Sequence, residues 1–199
     1  MTRKRAETKS KKTFKRNKYK ILAVITIILI IAITGAAVTL YDFPAEDQKE
    51  EGSTEGKWLF AMDTANIRYM YSASGIPTLV IIDPEGEVIY YKQGAHSKNQ
   101  LMPYIESAIQ GTAESLGPSI DFTVTTFNNE EFTLSNCRGK VVLLDIMGVG
   151  CYPCEMQMPE LQKIKIEKGD EIIILSIDTY YSGETKEDVI ETYGEYILR

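Results

Sequence analysis

The residues best suited to do chemistry are Cys151 and Cys154, three apart in the run KVVLLDIMGVGCYPCEMQMPEL, residues 140–161. An apolar, strand-like run from Val141 to Leu144 ends at Asp145. A loop follows, and the cysteines then head what reads as a helix. A thiol at a helix N-terminus meets unpaired backbone N–H groups and the positive end of the dipole, both of which favour thiolate. Pro153 lacks an N–H and has its φ preset, which suits a first helical turn. The pattern fits thiol–disulfide exchange, with Cys151 as an exposed attacking sulfur of low pKa and Cys154 as a sheltered resolving one. Zinc is the competing use of such a pair, but it needs two more Cys or His ligands. The chain offers only Cys137 and His96, at no zinc-like spacing. A redox pair with no metal and no cofactor is therefore the expectation, since the dithiol is itself the redox centre.

Other side chains near this stretch invite roles. Asp145, six residues before Cys151, would be desolvated at the end of an apolar strand, its pKa pushed up towards a useful acid–base range. The alternative is an ordinary strand-end acid facing water. Tyr152, between the cysteines, is exposed by position and would touch substrate. Cys137 reads as a small buried hydrophobe rather than a third redox thiol. His96, in a polar stretch, reads as solvated, and Trp58 as packing. The pair Tyr180-Tyr181 could line a groove or simply pack.

The elements that must position these residues can be read from pattern. Thr78–Ile82 and Glu87–Tyr91 form a predicted hairpin about the turn Asp83-Pro84-Glu85-Gly86. Leu101, Tyr104, Ile105, Ala108 and Ile109 recur at helical spacing over residues 98–110, and Gly111 stops that helix. A short helix is expected over Thr64–Tyr71, a second hairpin over Phe122–Phe127 and Glu131–Leu134, a strand over Glu171–Ile177, and a helix from about Glu184 to Leu198.

Charge divides the chain. Residues 1–20 carry ten Lys and Arg against the single acid Glu7, whereas the rest is strongly acidic. A uniformly basic nucleic-acid binder would not look like this, and no nucleic-acid partner is expected. Residues 21–40, ILAVITIILIIAITGAAVTL, are uncharged and mostly apolar, long enough to cross a hydrocarbon core of about 30 Å. The positive-inside rule then predicts a single-pass anchor in the cell membrane, in contact with lipid, with a cytoplasmic N-terminus and an extracytoplasmic body. A cleaved signal peptide, with Thr34 and Ala36 near the cut, is the rival. Residues 41–57 read as an acidic tether and 58–199 as the domain.

The stretch GKVVLLDIMGVGCYPCEMQMPEL resembles the thioredoxin superfamily, in particular the membrane-anchored TlpA/ResA-like thiol–disulfide oxidoreductases. A GKVVL strand, a C-x-P-C pair, and the helix residues Cys154, Pro159 and Leu161 carry the likeness. The segment from Tyr71 through Gly75-Ile76-Pro77-Thr78 is similar to that family's Y-x-x-x-G-x-P-T tract. The resemblance implies a thioredoxin-like α/β fold, a central mixed sheet flanked by helices. It implies a redox-active disulfide between Cys151 and Cys154, and a cis Pro77 that docks the substrate strand with Ile76, Tyr152 and Pro153. It implies that Asp145 shuttles a proton for Cys154. The family usually has bulky aromatic residues before the first cysteine; here the loop is Met147-Gly148-Val149-Gly150.

The order of the halves departs from the family. The cis-Pro half, residues 58–111, precedes the dithiol half, residues 120–199, with 112–119 as a polar linker. A circular permutant, a swap between neighbouring chains and a remnant of a tandem protein all fit this order. The function implied is reduction of protein disulfides, with apocytochromes c as a possible substrate class and a membrane thiol transporter of the CcdA/DsbD type as electron donor. A non-catalytic binding module and a thiol peroxidase are the alternatives.

Overall fold

The computed structural model describes residues 55–180 and 183–198. The expectations for the basic tail, the anchor at 21–40, most of the tether and Tyr181 lie outside these residues. Among the described residues no helix is long and apolar enough to cross a membrane.

The central strand is β7, Val141–Met147, every residue of which is buried. Strand side chains alternate between faces, so burial of both parities demands cover on both sides. Val141, Leu143 and Met147 pack into one core with Leu101, Ile105, Met158 and Leu161. Val142, Leu144 and Ile146 pack into another with Ile67, Phe122 and Phe132. The first core lies under helices α2 (Lys98–Ile109), α3 (Tyr152–Lys168) and α4 (Lys186–Tyr193). The second lies under short α1 (Ile67–Met70) and the two-stranded sheet of β5 (Thr123–Thr125) and β6 (Glu131–Thr133).

The main sheet adds β1 (Leu59–Met62), β2 (Thr78–Ile82), β3 (Glu87–Gln93), β4 (Gly117–Pro118) and β8 (Ile172–Asp178), in the spatial order β1-β8-β7-β2-β3-β4. Strands β1, β8 and β7 run parallel; β2, β3 and β4 are each antiparallel to the strand before them in that order. This mixed α/β architecture is compatible with a thioredoxin-like fold.

The two sequence halves close one sheet within one chain. β2 pairs β7 from Thr78↔Ile146 to Ile82↔Val142, and β1 pairs β8 from Leu59↔Leu175 to Met62↔Asp178. The hairpin turn is stitched to the dithiol half as well, since Gly139 N–H donates to Pro84 O at 3.0 Å.

Several expectations are corrected. β7 does not stop at Asp145 but runs on to Met147, because Ile146 and Met147 still pair with Ile177 and Asp178 of β8. The last helix ends at Tyr193; Tyr196–Leu198 instead runs beside Trp58, with Trp58 N–H donating to Tyr196 O and Leu198 N–H to Trp58 O. The predicted linker supplies β4, which pairs Val88 with Gly117. Gly56, placed in the tether, is buried at φ +71°, where an added Cβ would come within 3.0 Å of Ile166.

Candidate active site

Helix α3 begins at the dithiol. Cys151 is its N-cap in extended geometry, and Pro153 falls in the first turn. Cys151 and Cys154 are joined as a disulfide with Cα atoms 5.2 Å apart. The Cys154 N–H donates to Cys151 Sγ at 3.3 Å. In the reduced protein the same N–H supports a thiolate at Cys151, as does the dipole of a 17-residue helix. Cys154 is fully buried; Cys151 is 8% exposed and less open than the sequence suggests. The residue that does project is Tyr152, 70% exposed.

The other wall comes from the segment before β2. The Ile76–Pro77 peptide is cis, and Ile76 O lies 3.7 Å from Cys151 Sγ. Ile76 and Val149 are partly buried against the core that holds both cysteines. Thr78 Oγ1 donates to Gly75 O at 2.6 Å and Gly94 N–H donates to Pro77 O at 2.8 Å, fixing the segment on both sides. The structure thus brings together Cys151, Cys154, Ile76, Pro77, Tyr152 and Pro153.

Asp145 lies within β7 on the parity of Leu143 and Met147, the face that α3 covers. It is fully buried, so the strand-end acid facing water is not what forms. Ser176 Oγ–H donates to Asp145 Oδ2 at 2.8 Å, and Trp58 Nε1–H donates to Ser176 Oγ at 2.9 Å. Oδ1 has no donor among the described residues. One hydroxyl does not offset the loss of water, and burial pushes Asp145 up to about 7 against the lowering effect of Ser176. A carboxyl group that titrates near neutrality is able to accept and return a proton.

Some of this was hidden in the sequence. Ser176 is a polar residue in an apolar strand, a signal visible only once Asp145 is known to sit beside it in register. His96 is half-buried rather than solvated: its backbone N–H donates to Gln157 Oε1 at 2.7 Å, and its ring meets Tyr90 edge-on. Cys137 is half-buried, its thiol raised chiefly by burial, and it packs against the second core. Tyr180 is 44% exposed just after β8. Among the described residues no His, Cys, Asp or Glu cluster could hold a metal ion.

Among known proteins, the chain is 28% identical over 75 residues to the thioredoxin-like protein YneN of Bacillus subtilis, covering 38% of this chain and 44% of that one. It is 36% identical over 96 residues to the thiol-disulfide oxidoreductase ResA of Geobacillus kaustophilus, covering 46% and 52%. These relatives support the thioredoxin superfamily. A third match, 30% identical over 122 residues, is to the human DnaJ homolog subfamily C member 10, covering 60% of this chain and 14% of that one. The chain spans about half the length, or less, of these relatives. No family model and no solved structure matches it.

Proposed function

We propose that the chain is an extracytoplasmic, membrane-anchored thiol–disulfide oxidoreductase of the TlpA/ResA type that reduces protein disulfides. The observation that carries this reading is the Cys151–Cys154 disulfide at the start of α3, with Ile76 O beside Cys151 Sγ and Pro77 next in the chain. In the forward step the Cys151 thiolate attacks one sulfur of a substrate disulfide. That S–S bond breaks, a substrate thiolate leaves, and a mixed disulfide forms on Cys151. Cys154 then gives its proton to Asp145 and attacks Cys151 Sγ. The second substrate thiolate leaves and takes up a proton, so the substrate gains two electrons and the dithiol loses two. Ile76 and Pro77 hold the substrate backbone, and Tyr152 and Pro153 form the opposite rim.

Re-reduction falls to a membrane dithiol donor, in the manner of CcdA/DsbD-type transporters, and apocytochromes c are one candidate substrate class. Residues 21–40 anchor the chain in lipid with residues 1–20 in the cytoplasm. The order of the halves is that of a circular permutant, a reading supported by the way β1–β8 and β2–β7 join them into one sheet.

A trapping experiment tests the activity. Cys154→Ser leaves Cys151 able to attack but removes the resolving sulfur, so disulfide-linked partners should accumulate, and reductant should release them. Cys151→Ser should abolish them. Equal, background-level capture by both variants contradicts the proposal and leaves a docking module.

A further inference from the structure

Beyond the dithiol, a second buried acidic group stands at the carboxyl ends of β1, β8 and β7. Asp178, the last residue of β8, is fully buried and lies in register with Met147 of β7 and Met62 of β1. Its Oδ1 accepts the Tyr180 N–H at 2.9 Å, while its Oδ2 is buried with no donor among the described residues. The side chain that interacts with it there is Glu184, itself only 7% exposed. Two carboxylates are both acceptors and repel each other. One proton between them makes an O–H···O bond, supplies the partner Oδ2 lacks, and halves the buried charge. Burial first, and then the charge of Glu184, raise Asp178 to about 7.

Glu184 also reaches the dithiol loop. Its Oε1 accepts the Val149 N–H at 3.2 Å. Among the described residues the loop from Met147 to Gly150 is tied elsewhere too, and the Val149 N–H also acts on Asp178. Thr179 donates its N–H and hydroxyl to Met147 O at 3.0 and 3.1 Å, and Tyr193 OH donates to Gly148 O at 3.2 Å. Two of these four residues are glycines, and Gly150 sits at φ +71° immediately before Cys151. Such a loop has little stiffness of its own, so its ties set its shape.

We propose that Asp178 and Glu184 form a one-proton carboxyl pair that positions the loop ahead of Cys151, giving the dithiol site a second proton-sensitive unit besides Asp145. The pair stands on its own contacts; its consequence for the dithiol rests on the redox reading above. Loss of the shared proton to solvent leaves two buried charges side by side. Asp178 is fixed in the sheet, so Glu184 is the member that withdraws, and the Val149 N–H gives up its bond to Glu184 Oε1 and keeps only its interaction with Asp178. The other titratable groups near the pair come from several elements. Asp63, between β1 and α1, donates its N–H to Asp178 O while its carboxylate accepts the Ile67 and Arg68 N–H groups. Tyr180 follows β8, Tyr193 comes from α4 and Asp145 from β7, and Glu155 of α3 acts on Tyr193.

The test is amide hydrogen exchange at Val149 and Gly150 in the oxidised full-length chain from about pH 5.5 to about pH 8.5, each rate divided by its intrinsic rate. Wild-type protection should fall about fivefold on passing through neutrality, the worth of one hydrogen bond. Asp178→Asn and Glu184→Gln should flatten the profile, because a side-chain amide donates to the remaining carboxylate at every pH. Asp145→Asn should keep the fall. A flat wild-type profile, or a fall unchanged in both amide variants, overturns the pair. In the reduced protein, the ratio of wild-type to Glu184→Gln alkylation rates at Cys151 should change over the same pH range. A constant ratio overturns the coupling to the dithiol. If the loop transition is present but Cys151 and Cys154 form no reversible couple, the pair stands and the redox reading fails.

Discussion

At the scale of the residue, Asp145 carries the most testable chemistry. Burial raises it from 3.8 to about 7. Between these values the unfolded chain has lost the proton while the native state keeps it, so stability falls as pH rises from about 4 to about 7 and is level above. The three-unit rise sets a ceiling of roughly 4 kcal/mol on that loss. Asp178, raised over the same range, adds a similar fall, so Asp145→Asn should remove about half of the wild-type slope between urea melts at about pH 5 and about pH 8. A wild-type protein whose melts show no such fall would contradict the burial argument. In turnover, the same variant should slow release of the mixed disulfide by about a hundredfold and abolish its rise with pH through neutrality. Residue types made this site legible in part. The pair in CYPC and the proline in GIPT stand out in any reading. Ser176 and Trp58 do not, because only strand register and the packing of β1 bring them to the carboxylate.

At the scale of the element, the sequence was most legible where one pattern dominates. Strong turn residues placed the β2–β3 hairpin, and helical spacing placed α2. It was least legible where tertiary pairing overrides propensity. Gly117-Pro118 becomes a strand because β3 offers it an edge, a position where proline is tolerated. Asp145 looked like a strand terminus because a charged residue ended an apolar run, yet pairing with β8 carries the strand past it. The same elements make quantitative predictions. Leu143, fully buried in β7, should cost about 2–5 kcal/mol on replacement by Ala, read from the denaturation midpoint. Gly86 sits at φ +88° in the hairpin turn, with the Arg138 guanidinium 1.9 Å from where a Cβ would be. The guanidinium is the free end of a long side chain and can move aside; the backbone cannot. Gly86→Ala should therefore cost about 1–2 kcal/mol from backbone strain. The loss should be nearly the same when Arg138→Ala is added, whereas relief by that second change would mark a steric clash.

At the scale of the whole molecule, the question is how the two halves came to be joined in this order. The proposed reversal is read from sequence motifs alone, because each half resembles a different part of the family. They could not show that Tyr196–Leu198 lies parallel to Trp58 rather than leading into it, a relation set by packing at the β1 edge. A rearranged chain tests the permutation. It would open between Glu114 and Ser115, keeping β4 with the dithiol half, and join Leu198 to Glu55 through a flexible linker of about six residues, since the two segments run the same way. The rearranged domain should fold as a monomer with the same disulfide. An unfolded product, or one that folds only as a dimer, would contradict the permutant and favour a swap.

The central claim is that Cys151 and Cys154 are a working redox couple. An equilibrium titration of the full-length chain in detergent against thiol–disulfide buffers, read by the mass added on alkylation, tests it most directly. The account predicts one reversible two-electron transition confined to Cys151 and Cys154, with Cys137 alkylated equally at every potential. Absence of a reversible disulfide between Cys151 and Cys154, or a transition that needs Cys137, would contradict it.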